Sequence, residues 1–226
     1  MNNLIFGTLI CVLLFSFGCK MKNSSDSEVI LGDGNIISQE VALTQFQDIE
    51  LQNSCNVEIM SGPEYKASIS DHSNLIQYIK FEVSGSKLII RNEPETINLR
   101  NSKAKVMIFI PSTDLNSLSI MGSGNITLKT RINNISKIDI SGSGNVTSEV
   151  ASTTKNLVLS ISGSGNIDLL SIQTQKANCN ISGSGNINMA TSDSLNIAIS
   201  GSGNVFYKGE PTIVKTISGS GESVKL

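Results

Sequence analysis

Five asparagines, Asn125, Asn145, Asn166, Asn186 and Asn204, follow one another at intervals of 20, 21, 20 and 18 residues. Each is preceded by glycine and followed by isoleucine or valine. A carboxamide donates and accepts at once, so amides brought into one column hydrogen-bond head to tail, as asparagine ladders do in stacked sheets. On adjacent coils they would stand about 4.8 Å apart, the spacing between strands. A structural ladder is therefore the first reading, and an amide row that binds a ligand is the alternative. In the last repeat Glu222 takes the asparagine position and Lys215 an apolar one. Both breaks suit a terminal coil that faces water.

Other chemistries find fewer residues. Glycan cleavage needs two carboxylates on one bond, which in stacked coils means an acidic column. Asp139 has Ser119 and Ser160 as column neighbours, and Asp168 has Thr147 and Asn188. Asp193, Glu149 and Glu210 fall in segments of differing length, where no register is assigned. The single histidine, His72, sits in Asp71-His72-Ser73-Asn74 and reads as a solvated loop. Calcium-binding rolls use a GGxGxD nonapeptide, whereas here the period is about twenty and asparagine replaces the acid. Only Phe206 and Tyr207 are aromatic in the repeat region, so sugar-stacking platforms are scarce. A net charge of −2 from 17 basic and 19 acidic residues leaves no basic footprint for nucleic acid. No catalytic residue, metal ligand or cofactor is assigned. A carbohydrate-active β-helix enzyme, a polysaccharide lyase or hydrolase, is the alternative to a non-enzymatic binding module.

One thiol has a chemistry of its own. Leu4 to Gly18 form an apolar run too short for a membrane span of about 20 residues but suited to a secretory signal. It ends in Ser16-Phe17-Gly18-Cys19, which resembles a bacterial lipobox. That resemblance implies cleavage before Cys19, so that residues 1–18 are a signal peptide, and lipidation (with palmitate-type acyl chains) of the cysteine. Acyl chains contribute about 0.8 kcal/mol per buried CH₂ and would hold the protein to the outer membrane of the cell envelope. A plain cleaved signal or an uncleaved anchor are the alternatives. Residues 19–28 follow as a polar, aperiodic tether.

These groups need a scaffold, and the repeat supplies it. The phrase IMGSGNI at 120–126 recurs as ISGSGNV, ISGSGNI, ISGSGNI, ISGSGNV and ISGSGES, with first glycines at 122, 142, 163, 183, 201 and 219. Aligned on that glycine, Ile120, Ile140, Ile161, Ile181, Ile199 and Ile217 form one column. Leu118, Ile138, Leu159, Cys179 and Ile197 form another, and Ile126, Val146, Ile167, Ile187 and Val205 a third. Their neighbours are polar, so the flanks alternate with period two and read as strands. Gly-Ser-Gly between them is read as a corner where positive φ costs little. One such coil cannot bury its apolar face, but a stack can. The fold class is all-β, a single-stranded parallel β-helix (solenoid) of about 20 residues per coil.

The pattern extends upstream: 49–57 matches 138–146, Phe81 to Ser86 match its first six positions, and Gly32 to Ile36 resemble GSGNI. This predicts one solenoid over 29–226 of about nine coils, irregular over 29–112 and regular over 113–226. A separate N-terminal β-domain at 29–112, ending near Pro111, is the alternative. Cys55 and Cys179 then lie five coils apart, about 24 Å at the inter-strand spacing. A disulfide needs Cα atoms within about 7 Å, so both are expected as free thiols.

The SGSGN(I/V) repeats resemble the bacterial family described as putative autotransporter adhesin, head GIN domain. So do Phe46-x-x-Ile49-x-Leu51, Val57-x-Ile59, Lys87-Leu88-Ile89-Ile90 and Val106-x-Ile108-x-Ile110-Pro111. The resemblance implies a Bacteroidetes-type lipoprotein, a right-handed parallel β-helix and an adhesin-like role, and it brings no family active site with it. The expected function is a binding or scaffold module of the cell envelope. Its outward column, Ser141, Ser162, Ser182, Ser200 and Ser218, suits an extended polar partner, protein or glycan, or further copies of the chain.

Overall fold

The computed structural model describes residues 28–111 and 114–226. The signal segment, Cys19 and the tether up to residue 27 lie outside the described residues.

Alternation along the repeats turns directly into stacked rungs. Ser117–Ile120, Lys137–Ile140, 158–161, 178–181, 196–199 and 214–217 pair in sequence, each parallel to the last. Past the corner, Asn125–Leu128, Asn145–Ser148, 166–168, 187–189, Val205–Lys208 and Ser223–Lys225 do the same. The result is a β-solenoid of about five turns with roughly 20 residues per coil. All three apolar columns are buried as far as the coil of Val205. They belong to one core running from Phe46 to Val205. Each such side chain contributes about 2 kcal/mol on leaving water, and only neighbouring rungs can provide the dry surroundings.

The corners need glycine for space. A methyl on Gly142 would stand 2.0 Å from the Gly122 carbonyl oxygen, and one on Gly144 only 2.1 Å from that of Gly124. The same clash with the rung below recurs at both corner glycines of the later coils. The expected advantage in positive φ applies at Gly183 (+154°), Gly201 (+142°) and Gly219 (+126°) and not at the earlier corners. Close approach of backbone to backbone is therefore the common requirement, and φ a secondary one.

Upstream, the stack order departs from the chain order. Asp48–Leu51 and Asn56–Ser61 lie directly beneath the first repeat, with Ile49 under Leu118, Leu51 under Ile120 and Val57 under Ile126. The match of 49–57 to the repeat is thus a match in space. Beneath it run Lys87–Asn92 and Lys105–Ile110, with Leu88 under Ile49 and Val106 under Val57. Residues between 61 and 117 close the lower end instead of adding turns in sequence. Lys66–His72 runs antiparallel to both Ile36–Ala42 and Lys105–Ile110.

Three upstream expectations are corrected. Ile79–Ser84 is the antiparallel arm of a hairpin with Lys87–Asn92, so residues 81–86 are not a coil. Gly85 takes φ +60° there, which reverses the chain in a two-residue loop. Gly32 to Ile36 lead into Ile36–Ala42, an antiparallel strand, and form no corner of the stack. The nine successive coils over 29–226 give way to the shorter stack and its antiparallel base. Cys55 and Cys179 consequently stand four rungs apart, about 19 Å, because the excursion at 62–116 does not lie between them. Both are free and buried.

Candidate functional site

The amides form an unbroken chain of hydrogen bonds. Asn145 donates through its backbone N (3.1 Å) and side-chain Nδ2 (2.8 Å) to Oδ1 of Asn125. Asn166 gives the same pair to Asn145 at 3.0 and 3.0 Å. Asn186 bonds Asn166 at 3.0 and 3.2 Å, and Asn204 bonds Asn186 at 3.1 and 3.0 Å. At the top, the backbone N of Glu222 donates to Asn204 Oδ1 at 2.9 Å. At the foot, Asn125 Nδ2 donates to Asn56 Oδ1 at 2.7 Å. Asn56 falls within the aligned segment 49–57, yet the repeated phrase alone does not reveal it as the sixth amide, 69 residues from its partner. Every bond points the same way, and the backbone donors fix the orientation of each amide they reach. The arrangement holds corners in register, and it leaves the amides from Asn125 to Asn204 occupied with one another.

Beside the ladder, Ser141, Ser162, Ser182, Ser200 and Ser218 are exposed. Ser182, Ser200 and Ser218 are paired directly in register. The inner column of the same rungs is the buried isoleucine row, so these hydroxyls stand on a rigid support.

Among the described strands no acidic residue has an acidic register partner. Asp139 pairs with Ser119 and Ser160, and Asp168 with Thr147 and Asn188. Among the described residues no group of three His, Cys, Asp or Glu comes together around a common point. Burial pushes both thiols up to about 12, with the Asp71 carboxylate adding to the effect at Cys55. Neither is a nucleophile at neutral pH.

His72 is the main site residue misjudged from sequence: it is buried, as is Asp71. Its Nδ1 accepts from the Gly34 backbone N at 2.8 Å, which leaves Nε2 to donate to the Asn101 carbonyl at 3.0 Å. Asp71 accepts from the backbone N of His72 and of Lys103, both at 2.8 Å, and from Ser102 Oγ at 2.6 Å. These two side chains tie the entering segment at 32–35 and the loop at 101–104 to the end of one strand. Partners 29 to 38 residues away leave no local signal in the sequence. A second unforeseen set is the buried Thr154, Thr174 and Thr191, whose hydroxyls satisfy carbonyls at the opposite corner.

The architecture has known counterparts. A protein called a putative adhesin from Bacteroides fragilis, 23% identical, matches over 87% of this chain and 99% of its own with a TM-score of 0.66. A protein called a putative lipid binding protein from Parabacteroides distasonis is 26% identical over 88% of this chain and 100% of its own, with a TM-score of 0.56. A putative adhesin from Parabacteroides merdae shares the fold at 15% identity and a TM-score of 0.55. Comparison with curated proteins finds no match. The family model described as putative auto-transporter adhesin, head GIN domain matches residues 45–211, and with the corner amides and all the stacked rungs but the last coil lying inside that span, the chain belongs to this family.

Proposed function

We propose that the protein is a lipoprotein of the outer membrane, held by acylated Cys19 and a short tether, that presents its solenoid as a non-enzymatic binding and scaffold surface. The observation that carries this reading is the row of exposed serines on rigid rungs, repeated over five successive turns from Ser141 to Ser218. Small polar groups at a fixed interval favour an extended polar partner, a glycan strand or a peptide segment, over a compact molecule. Weak contacts repeated along one face add through effective concentration and need no single strong site. The adhesin-like family and the relative called a putative lipid binding protein support an envelope role.

Two experiments test the two halves. Cys19→Ala should abolish labelling by a fatty-acid probe and release the protein from membranes; retention in the membrane would mean that the apolar run remains as an anchor. For the surface, binding of mature protein to envelope fractions is measured with Ser182→Lys alone and with Ser162, Ser182, Ser200 and Ser218 all changed to lysine. The single change should leave most binding and the fourfold change should remove it. Complete loss from the single change, with stability unaltered, would indicate a discrete site and sink the repeated-surface reading.

A further inference from the structure

We propose that a cavity at the base of the solenoid, beneath the foot of the amide ladder, binds an anionic oxygen group, phosphate or carboxylate, on a molecule with an apolar portion. The cavity has a volume of about 520 Å³. Lys103 and Lys105 stand on its rim, Asn56 and Asn98 in its wall, and Ile97 and Leu99 supply apolar lining. No aspartate or glutamate lines it. Neither lysine is in an ion pair with any described residue. Asp71, which holds the Lys103 backbone N, is fully buried and already takes three donors. With two lysines and no carboxylate among its lining residues, the lining is net positive.

The ladder adds directed donors to that charge. All its side-chain bonds run downward, from Asn204 through Asn186, Asn166, Asn145 and Asn125 to Asn56. Aligned amides polarise one another, strengthening each bond by roughly 10–30%. Asn56 Oδ1 is occupied by Asn125, and among the described residues nothing accepts from the Asn56 amide hydrogens. The last donor of a polarised chain therefore faces the cavity it lines. The rim is also fixed in advance: Asp71 holds Ser102 and the Lys103 backbone, and His72 holds the Asn101 carbonyl. A preformed rim binds without the cost of ordering a loop.

Position favours a partner near the membrane. Val29–Leu31 pairs with Asn98–Arg100, and the Asn98 backbone N donates to the Glu28 carbonyl at 2.8 Å. The segment that follows the tether thus enters beside the cavity. The anionic group could belong to a lipid headgroup or to a free phosphorylated or carboxylated molecule. This site is separate from the serine face, and its failure would leave that reading untouched.

The test uses mature protein with inorganic phosphate, at ionic strength matched with chloride, and with vesicles of phosphatidylcholine alone or mixed with phosphatidylglycerol. Resonances of the Asn56 side-chain amide and of residues 101–105 are followed by NMR. Phosphate should shift them saturably, and Lys103→Ala with Lys105→Ala should weaken binding at least tenfold. Asn56→Asp is the decisive variant, because its carboxylate still accepts from Asn125 but no longer donates. It should fold as before and lose binding by a similar factor. Preference for the phosphatidylglycerol vesicles, abolished by Asn56→Asp, assigns the site to a headgroup; response to phosphate without that preference assigns it to a free ligand. No saturable response to either probe, or binding unchanged in both variants, overturns the proposal.

Discussion

At the residue scale, side chains here act through the rung above or below more than through their chain neighbours. Asn166 Oδ1 accepts two hydrogen bonds from Asn186, and its Nδ2 gives one to Asn145. Asn166→Ala removes all three and leaves the Asn186 backbone N without its acceptor. At about 0.5–1 kcal/mol for each of the three partly exposed bonds, the loss should be about 2 kcal/mol in urea unfolding. Ser162→Ala, on the exposed row of the same coil, should change stability by less than about 0.5 kcal/mol. Equal effects would mean that the ladder adds no more than any surface position.

Glu50 offers a test with a pH signature. The Lys87 ammonium, 2.7 Å away, holds its carboxyl below the usual carboxylate range against the opposing effect of burial, and Gln52 assists. A carboxylate with a depressed pKa contributes stability that is present above its unfolded pKa and lost as pH falls through the folded one. Glu50→Gln should therefore cost up to about 1 kcal/mol at pH 7, with the difference from the native chain fading as the solution is acidified below the ordinary range for glutamate. A gap that persists in acid would point to packing instead of charge. The alternation Asp48-Ile49-Glu50-Leu51 makes Glu50 outward-facing in the sequence. Lys87 as its partner is not legible there, because it comes from the hairpin that closes the base, 37 residues on.

At the element scale, the two uses of glycine separate cleanly. Gly144 sits in a stacked corner where an added methyl would meet the Gly124 oxygen at 2.1 Å and Ile120 Cγ2 at 2.7 Å. Gly85 sits in a hairpin loop with φ +60° and nothing within 4 Å of an added methyl. Gly85→Ala should cost about 1–2 kcal/mol, the penalty of a left-handed alanine. Gly144→Ala should cost more, about 3 kcal/mol or above, since rungs must separate around an overpacked contact. Thermal unfolding of both variants checks the order, and a milder effect at Gly144 would show that the corner yields easily. The spacing of the repeated phrase made the rungs, their inward columns and the corner positions readable. It did not separate Gly85 from the corners, because Ser-Gly-Ser occurs in both settings and only the long-range partner distinguishes a stacked corner from a reversal. The base of the stack was hidden for a related reason. Its strands reach 69 residues along the chain for their neighbours, and local alternation is the same in parallel and antiparallel sheets.

At the scale of the whole molecule, the two ends of the solenoid differ in kind. The lower end is closed by antiparallel strands, whereas among the described residues Thr212–Gly219 and Ser223–Lys225 each pair on one side only. Val214 is 63% exposed and Leu226 55%, so the last coil combines free backbone groups with apolar surface, the combination that invites edge-to-edge pairing. Two residues oppose it. Lys215 pairs with Ile197 and thus heads a column that is buried in every coil below. A further rung laid on this end would enclose its ammonium without a carboxylate, at a cost of several kcal/mol. Glu222 ends the ladder by taking Asn204 Oδ1 with its backbone N, and it places a carboxylate where another amide would pass the chain onward. Lys215→Ile combined with Glu222→Asn restores both columns and removes both charges. The doubly substituted protein should associate through this end, with an apparent mass by light scattering that rises with concentration more steeply than that of the native chain. Each single variant, keeping one charge at the edge, should fall between the two. Identical masses for the double variant and the native protein across the range would mean that these charges are not what guards the end.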